Sequence, residues 1–226
     1  MNVLGIETAT TVCAAALVRN GKVAAESSLE AGRIHAEKLM GQIASVLGST
    51  GAEALDGIAV SAGPGSFTGL RIGLSVAKGI AFARNIPLAA VPTLEALAMH
   101  AAGTDRLGPG TRLLAALDAR RDEVYCQLFE VTAEGVHPLR DVRDMTLGAL
   151  MEEIRGMRVL VTGEATAKVL GWPGMPDTLG AVTAGAQRCS GARVALVGET
   201  LLLAGKADDP SALEPRYIKD FFLRTR

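Results

Sequence analysis

Three short apolar runs open the chain, Val3 to Thr8, Val12 to Arg19 and Lys22 to Ser28, interrupted by Ala9-Thr10-Thr11 and by Asn20-Gly21. Asn-Gly is the strongest short hairpin signal, because both residues tolerate the positive φ of a type I′ turn. The pattern predicts an antiparallel meander whose first strand is buried on both faces. From Ile34 to Leu47 the apolar positions Ile34, Leu39, Met40, Ile43, Val46 and Leu47 recur at helical spacing, and Gly48-Ser-Thr-Gly51 ends the pattern. A strand over Leu55 to Val60, a helix over Gly69 to Arg84, a strand over Leu88 to Val91 and a helix over Thr93 to Ala102 follow.

After the Gly/Pro-rich junction Gly103 to Gly110 the order begins again. Leu113 to Leu117, Glu123 to Glu130 and Gly135 to Leu139 read as strands, Thr146 to Arg155 as a helix and Arg158 to Thr162 as a strand. Helices over Glu164 to Leu170 and Ala192 to Ala204 complete the second half, and Glu214-Pro-Arg-Tyr-Ile-Lys219 is an extended tail. Two successive units of strands followed by alternating helix and strand imply an α/β protein built by duplication, the second copy degenerate. The expected division is residues 1–103 and 104–226.

The 226 residues, 49% hydrophobic and 21% charged with net charge −1, fit an ordinary globular protein. Near-neutral charge lacks the basic footprint of an autonomous nucleic-acid binder, so a nucleic-acid role has to be shared with a partner. Cys13, Cys126 and Cys189 are far apart without CxxC spacing, which argues against both a disulfide framework and a zinc site. No run approaches the roughly 18 apolar residues of a membrane span, and the chain reads as cytosolic.

The stretch Ser61-Ala-Gly-Pro-Gly-Ser-Phe-Thr-Gly-Leu-Arg-Ile-Gly73 packs four glycines into a strand-to-helix turn. Such a turn can cradle an anion on backbone N–H groups, and it can equally let two backbones pack closely. It is not a P-loop, since Gly69 is followed by Leu70 and Arg71, and it is not a dinucleotide fingerprint, since Gly69 comes one residue late after Gly63 and Gly65. Gly69, Gly73, Ala77 and Ala81 fall every four residues and form a seam of small side chains. His35 would need a second metal ligand at i+4, where Leu39 stands, and His100 and His137 belong to no ligand cluster. Ser66 lacks the G-x-S-x-G context of a nucleophile. The Asp118-Ala-Arg-Arg-Asp-Glu-Val124 segment reads as a charged hairpin, with a general base as the alternative. Neither a catalytic residue nor a cofactor is expected.

Taken together, Leu4-Gly-Ile-Glu-Thr-Ala-Thr10, Arg33-Ile-His-Ala-Glu-Lys-Leu39, the glycine-rich string from Val60 to Gly73, Leu117-Asp-Ala-Arg-Arg-Asp-Glu-Val-Tyr125 and Glu214-Pro-Arg-Tyr-Ile218 resemble the TsaB family, paralogues of the TsaD glycoprotease-like proteins. The resemblance implies the duplicated actin-like ATPase (ribonuclease H-like) fold. It implies a non-catalytic scaffold that binds a TsaD-like catalytic subunit in the complex forming N6-threonylcarbamoyladenosine beside the tRNA anticodon. A TsaE-like P-loop ATPase joins that pair, tRNA is met only through the complex, and a homodimer forms when TsaD is absent. TsaD-like proteins carry His-x-x-x-His on the first helix for a metal, and Leu39 breaks that pair here. The expected partner contacts are Leu39, Ile43 and Leu47 on the first helix and Gly69, Gly73 and Ala77 on the second. Glu7 stands where TsaB-like chains often have Asp. Strand-turns of this kind grip phosphate in actin-like ATPases, which makes Glu7, Thr8, Gly63 and Gly65 the candidate nucleotide-binding residues of a competing reading, a stand-alone ATP-dependent kinase or acyltransferase.

Overall fold

The computed structural model describes residues 1–30, 34–48 and 51–218, so Arg33, Ser49, Thr50 and the apolar Phe221, Phe222 and Leu223 of the tail lie outside the described residues. The first half folds as β1 (Asn2–Glu7), β2 (Val12–Arg19), β3 (Lys22–Glu30), α1 (His35–Leu47), β4 (Gly57–Gly63), α2 (Phe67–Arg84), β5 (Leu88–Pro92) and α3 (Thr93–Thr104). The second supplies β6 (Arg112–Asp118), β7 (Glu123–Val131), β8 (Val136–Pro138), β9 (Arg143–Thr146), α4 (Leu147–Glu153), β10 (Val159–Thr162), α5 (Thr166–Leu170), β11 (Leu179–Ala181) and α6 (Gly191–Leu203).

The first sheet runs β3-β2-β1-β4-β5 and the second β8-β7-β6-β10-β11, with β9 also paired to β7. In each sheet the leading hairpins are antiparallel, and the last two strands join in parallel. Two sheets with one strand order, each flanked by helices, constitute the duplicated ribonuclease H-like architecture of the actin-like proteins.

Strand alternation distributes the core among four layers. Leu4, Ile6, Ile58 and Val60 face α1 and α2, where they meet Leu39, Ile43, Leu74 and Ala77. Val3, Ala59 and Val91 face the opposite way, onto Val194 and Val197 of α6. In the second sheet Leu113, Ala115 and Leu117 face Leu94 and Leu97 of α3, while Leu114, Ala116 and Val161 face α4 and α5. Each sheet is thus covered on its inner side by a helix from the other half of the sequence. In space α3 packs on the second sheet while also touching β4 and β5, and α6 packs on the first. After α6, Asp208 bridges to Leu88, and its Oδ2 accepts from the N–H of Ala90 at 2.8 Å, which closes the free edge of β5.

Candidate functional site

The glycine-rich segment and the β1–β2 turn, Thr8 to Thr11, are built as one unit. Ser66 caps α2, its hydroxyl accepting from Gly69 N–H at 3.2 Å, and its own N–H donates to Ala9 C=O at 2.7 Å. Gly63 N–H donates to Thr93 Oγ1 at 3.1 Å and Leu70 N–H to Ser66 C=O at 2.8 Å. These donors of the supposed cradle are therefore spent inside the chain. A Cβ on Gly69 would lie 2.0 Å from the Thr8 carbonyl oxygen, one on Gly65 2.3 Å from that of Ala9, and one on Gly73 2.2 Å from Thr8 Oγ1. The glycines exist so that α2 can start against the backbone of the turn.

Below the turn sits Glu7, fully buried. Its Oε1 accepts from Ala9 N–H at 2.7 Å, and Oε2 accepts from the Ser61 hydroxyl in a short hydrogen bond. Burial outweighs these donors and pushes the carboxyl up to about 7, with the Glu164 charge adding to the rise. Thr8 is also buried, its hydroxyl donating to Gly69 C=O at 2.8 Å. Gly63 lies under the tail: Arg216 N–H donates to Ala62 C=O at 2.7 Å, and a Cβ on Gly63 would meet Arg216 C=O at 2.5 Å. Arg71 places its guanidinium 3.8 Å from the Phe67 ring centroid and donates from Nε to Tyr217 Oη at 3.0 Å, while the Phe67 and Tyr217 rings stand 5.1 Å apart. The structure brings Glu7, Thr8, Gly63 and Gly65 together, as expected of a site, but as a packing junction; none of the four lines the inter-lobe cleft.

That cleft, about 240 Å³, lies between the lobes and is lined by Thr10, Thr11, Gly163, Glu164, Arg188 and Cys189 among others. Contacts that cross it include Thr11 N–H to Glu164 Oε2 at 3.3 Å, a side-chain hydrogen bond from Thr11 to the same carboxylate, one between Thr10 and Cys189, and the Arg188–Glu30 ion pair at 2.9 Å. Burial raises the Glu164 carboxyl above its ordinary range and the Cys189 thiol well above. Among the described residues no group of three or more His, Cys, Asp or Glu is placed to hold a metal ion.

His35 is buried with Nε2 at 2.9 Å from Thr10 O and 3.2 Å from Val12 O, so it clasps the β1–β2 turn. The six residues expected to touch a partner all point inward. Leu39, Ile43 and Leu47 lie in the first core, and Gly69, Gly73 and Ala77 face the turn and the sheet. An apolar stripe at helical spacing marks the face a helix buries in its own domain, and here that demand consumed the whole stripe. What α1 and α2 leave exposed is different: Ile34 at 40%, Met40 at 54% and Phe82 at 88%. The sequence signal for Phe82 was its place off the buried stripe of α2.

A family description, TsaD: tRNA N6-adenosine threonylcarbamoyltransferase, matches residues 19–151. The tRNA threonylcarbamoyladenosine biosynthesis protein TsaB of Escherichia coli is 34% identical over 180 residues, 78% of this chain and 74% of that protein. The Bacillus subtilis protein of the same name is 35% identical over 132 residues, 58% of this chain and 56% of its own length. Among solved structures, YeaZ from Pseudomonas aeruginosa superposes with a TM-score of 0.81 at 26% identity, over 96% of this chain and 99% of its own. With the fold reproduced along nearly its whole length and three quarters of the E. coli protein matched, the chain belongs to the TsaB family.

Proposed function

We propose that the chain is a docking subunit without a reaction centre of its own, which binds a TsaD-type catalytic subunit through the exposed side of α1 and α2 during tRNA threonylcarbamoyladenosine formation. The observation that carries this reading is the pairing of a glycine loop engaged within the chain with an exposed aromatic: the N–H groups of Gly63, Ser66, Gly69 and Leu70 are satisfied internally, while Phe82 near the end of α2 is 88% exposed. A phenylalanine so placed is a suitable interface anchor. In this reading a second copy takes the same face when the catalytic subunit is absent, and the P-loop ATPase and tRNA join only the assembled pair. Mixing the purified chain with a TsaD protein and following association by size-exclusion chromatography tests it. A stable complex, with transfer to tRNA requiring both proteins, is expected; full transfer by the TsaD protein alone, or no complex, defeats it. Tight Mg-ATP binding by the isolated chain in calorimetry would favour the competing kinase or acyltransferase reading.

A further inference from the structure

The β1–β2 turn is held from four directions. Toward α1, His35 Nε2 lies 2.9 Å from Thr10 O; toward α2, Thr8 Oγ1 donates to Gly69 O at 2.8 Å and Ala9 O accepts from Ser66 N–H at 2.7 Å. Toward β4, the Glu7 carboxyl that accepts from Ala9 N–H also accepts from Ser61. These four contacts are buried or short, and all lie within the first lobe. Toward the second lobe the turn's contacts all lie at the cleft: Thr11 reaches Glu164 with its N–H, at 3.3 Å to Oε2, and with its hydroxyl, and the Thr10 side chain hydrogen-bonds the Cys189 thiol. Nearby, Glu30 and Arg188 form an ion pair with both side chains more than 60% exposed, an arrangement that contributes little.

This distribution has a mechanical meaning. Both helices of the exposed face begin against the turn, α1 with His35 as its first residue and α2 with Ser66 as its cap. A shift of either helix start therefore carries the turn with the first lobe. The contact that yields is the longest and most exposed one, at the cleft.

We propose, on the footing of the docking function above, that occupancy of the α1–α2 face is transmitted through the Thr8–Thr11 turn to the inter-lobe cleft and opens it by releasing Thr11 from Glu164. The chain is then a relay as well as a scaffold: what binds on one side alters the surface offered on another.

Cys189 lines the cleft at 9% exposure and reports its opening, whereas Cys13 and Cys126 are buried elsewhere, at 0% and 4%. Iodoacetamide labelling of the full-length chain, mapped to each cysteine by mass spectrometry, is followed alone and with the TsaD protein, while association is measured separately by size exclusion. Docking is expected to raise the Cys189 rate at least about fivefold, the low end of ordinary coupling between sites, with Cys126 unchanged. Thr8→Val and His35→Phe, which remove the Thr8–Gly69 and His35–Thr10 bonds, should retain association and diminish the response. Glu164→Ala should raise the Cys189 rate in the free chain by a similar factor and leave no further rise on docking. A complex that forms without altering Cys189 overturns the relay and leaves the docking function standing. An unchanged Cys189 rate in free Glu164→Ala overturns it whether or not a complex forms.

Discussion

His35 Nε2 sits 2.9 Å from the carbonyl oxygen of Thr10, so the one histidine that a metal reading of the first helix would use is committed to holding a backbone turn. Four residues on, Leu39 is 1% exposed within the first core. Restoring the second histidine therefore does not restore a site. Leu39→His should lose about 2–4 kcal/mol in urea denaturation, from lost apolar burial and an unpaired buried imidazole, with no zinc-dependent gain in Tm. Stoichiometric metal uptake by the folded variant would contradict this.

Glu7 supplies a pH dependence of definite sign. Its carboxyl is held at about 7 in the folded chain against an ordinary value of 4.5, so the fold favours the protonated form. The stabilisation is fully present below about pH 4.5, declines as pH rises toward 7, and is gone above it. The shift corresponds to about 3 kcal/mol at most. Urea denaturation from pH 5 to 8 should show this fall in wild type, and Glu7→Gln should flatten it, gaining most at pH 8. Parallel profiles for the two proteins would refute the assignment to Glu7.

Phe82, at 88% exposure, separates partner binding from stability. Phe82→Asp should leave Tm within about 2 °C, since an exposed substitution changes stability by no more than about 0.5 kcal/mol. In size exclusion the same variant should lose its complex with the TsaD protein. Retained binding at wild-type strength would move the docking face elsewhere.

The β6–β7 turn holds two arginines in the left-handed region, Arg120 at φ 76° and Arg121 at φ 49°. A side chain there costs about 1–2 kcal/mol, part of which glycine returns as unfolded-chain entropy. Arg121→Gly should gain about 0.5–1 kcal/mol by thermal denaturation. A loss on substitution would mean that the guanidinium makes a contact worth more than the strain.

The strand and helix order was largely legible because its signals are local: Asn20-Gly21 fixes the β2–β3 hairpin, and the helical recurrence from Ile34 to Leu47 matches α1 closely. The strands β9, Arg-Asp-Met-Thr, and β11, Leu-Gly-Ala, escaped because neither carries a β-branched apolar run like that of β10. Burial direction was also hidden. Leu39 and Gly73 carry a pattern equally suited to a partner or to their own sheet; in the fold Leu39 lies in the first core and Gly73 against Thr8. The Glu7–Ser61 pair joins residues 54 apart in sequence, a separation at which no motif speaks.

The exchange of α3 and α6 between the lobes makes the duplicated halves inseparable. Cutting the chain at the Gly103–Gly110 junction would uncover Leu113, Leu117 and Phe129 in one fragment and Val3, Ala59 and Val91 in the other, two greasy sheet faces with nothing to lie on them. Either half alone would thus present a large exposed apolar sheet face, the kind of surface that drives association.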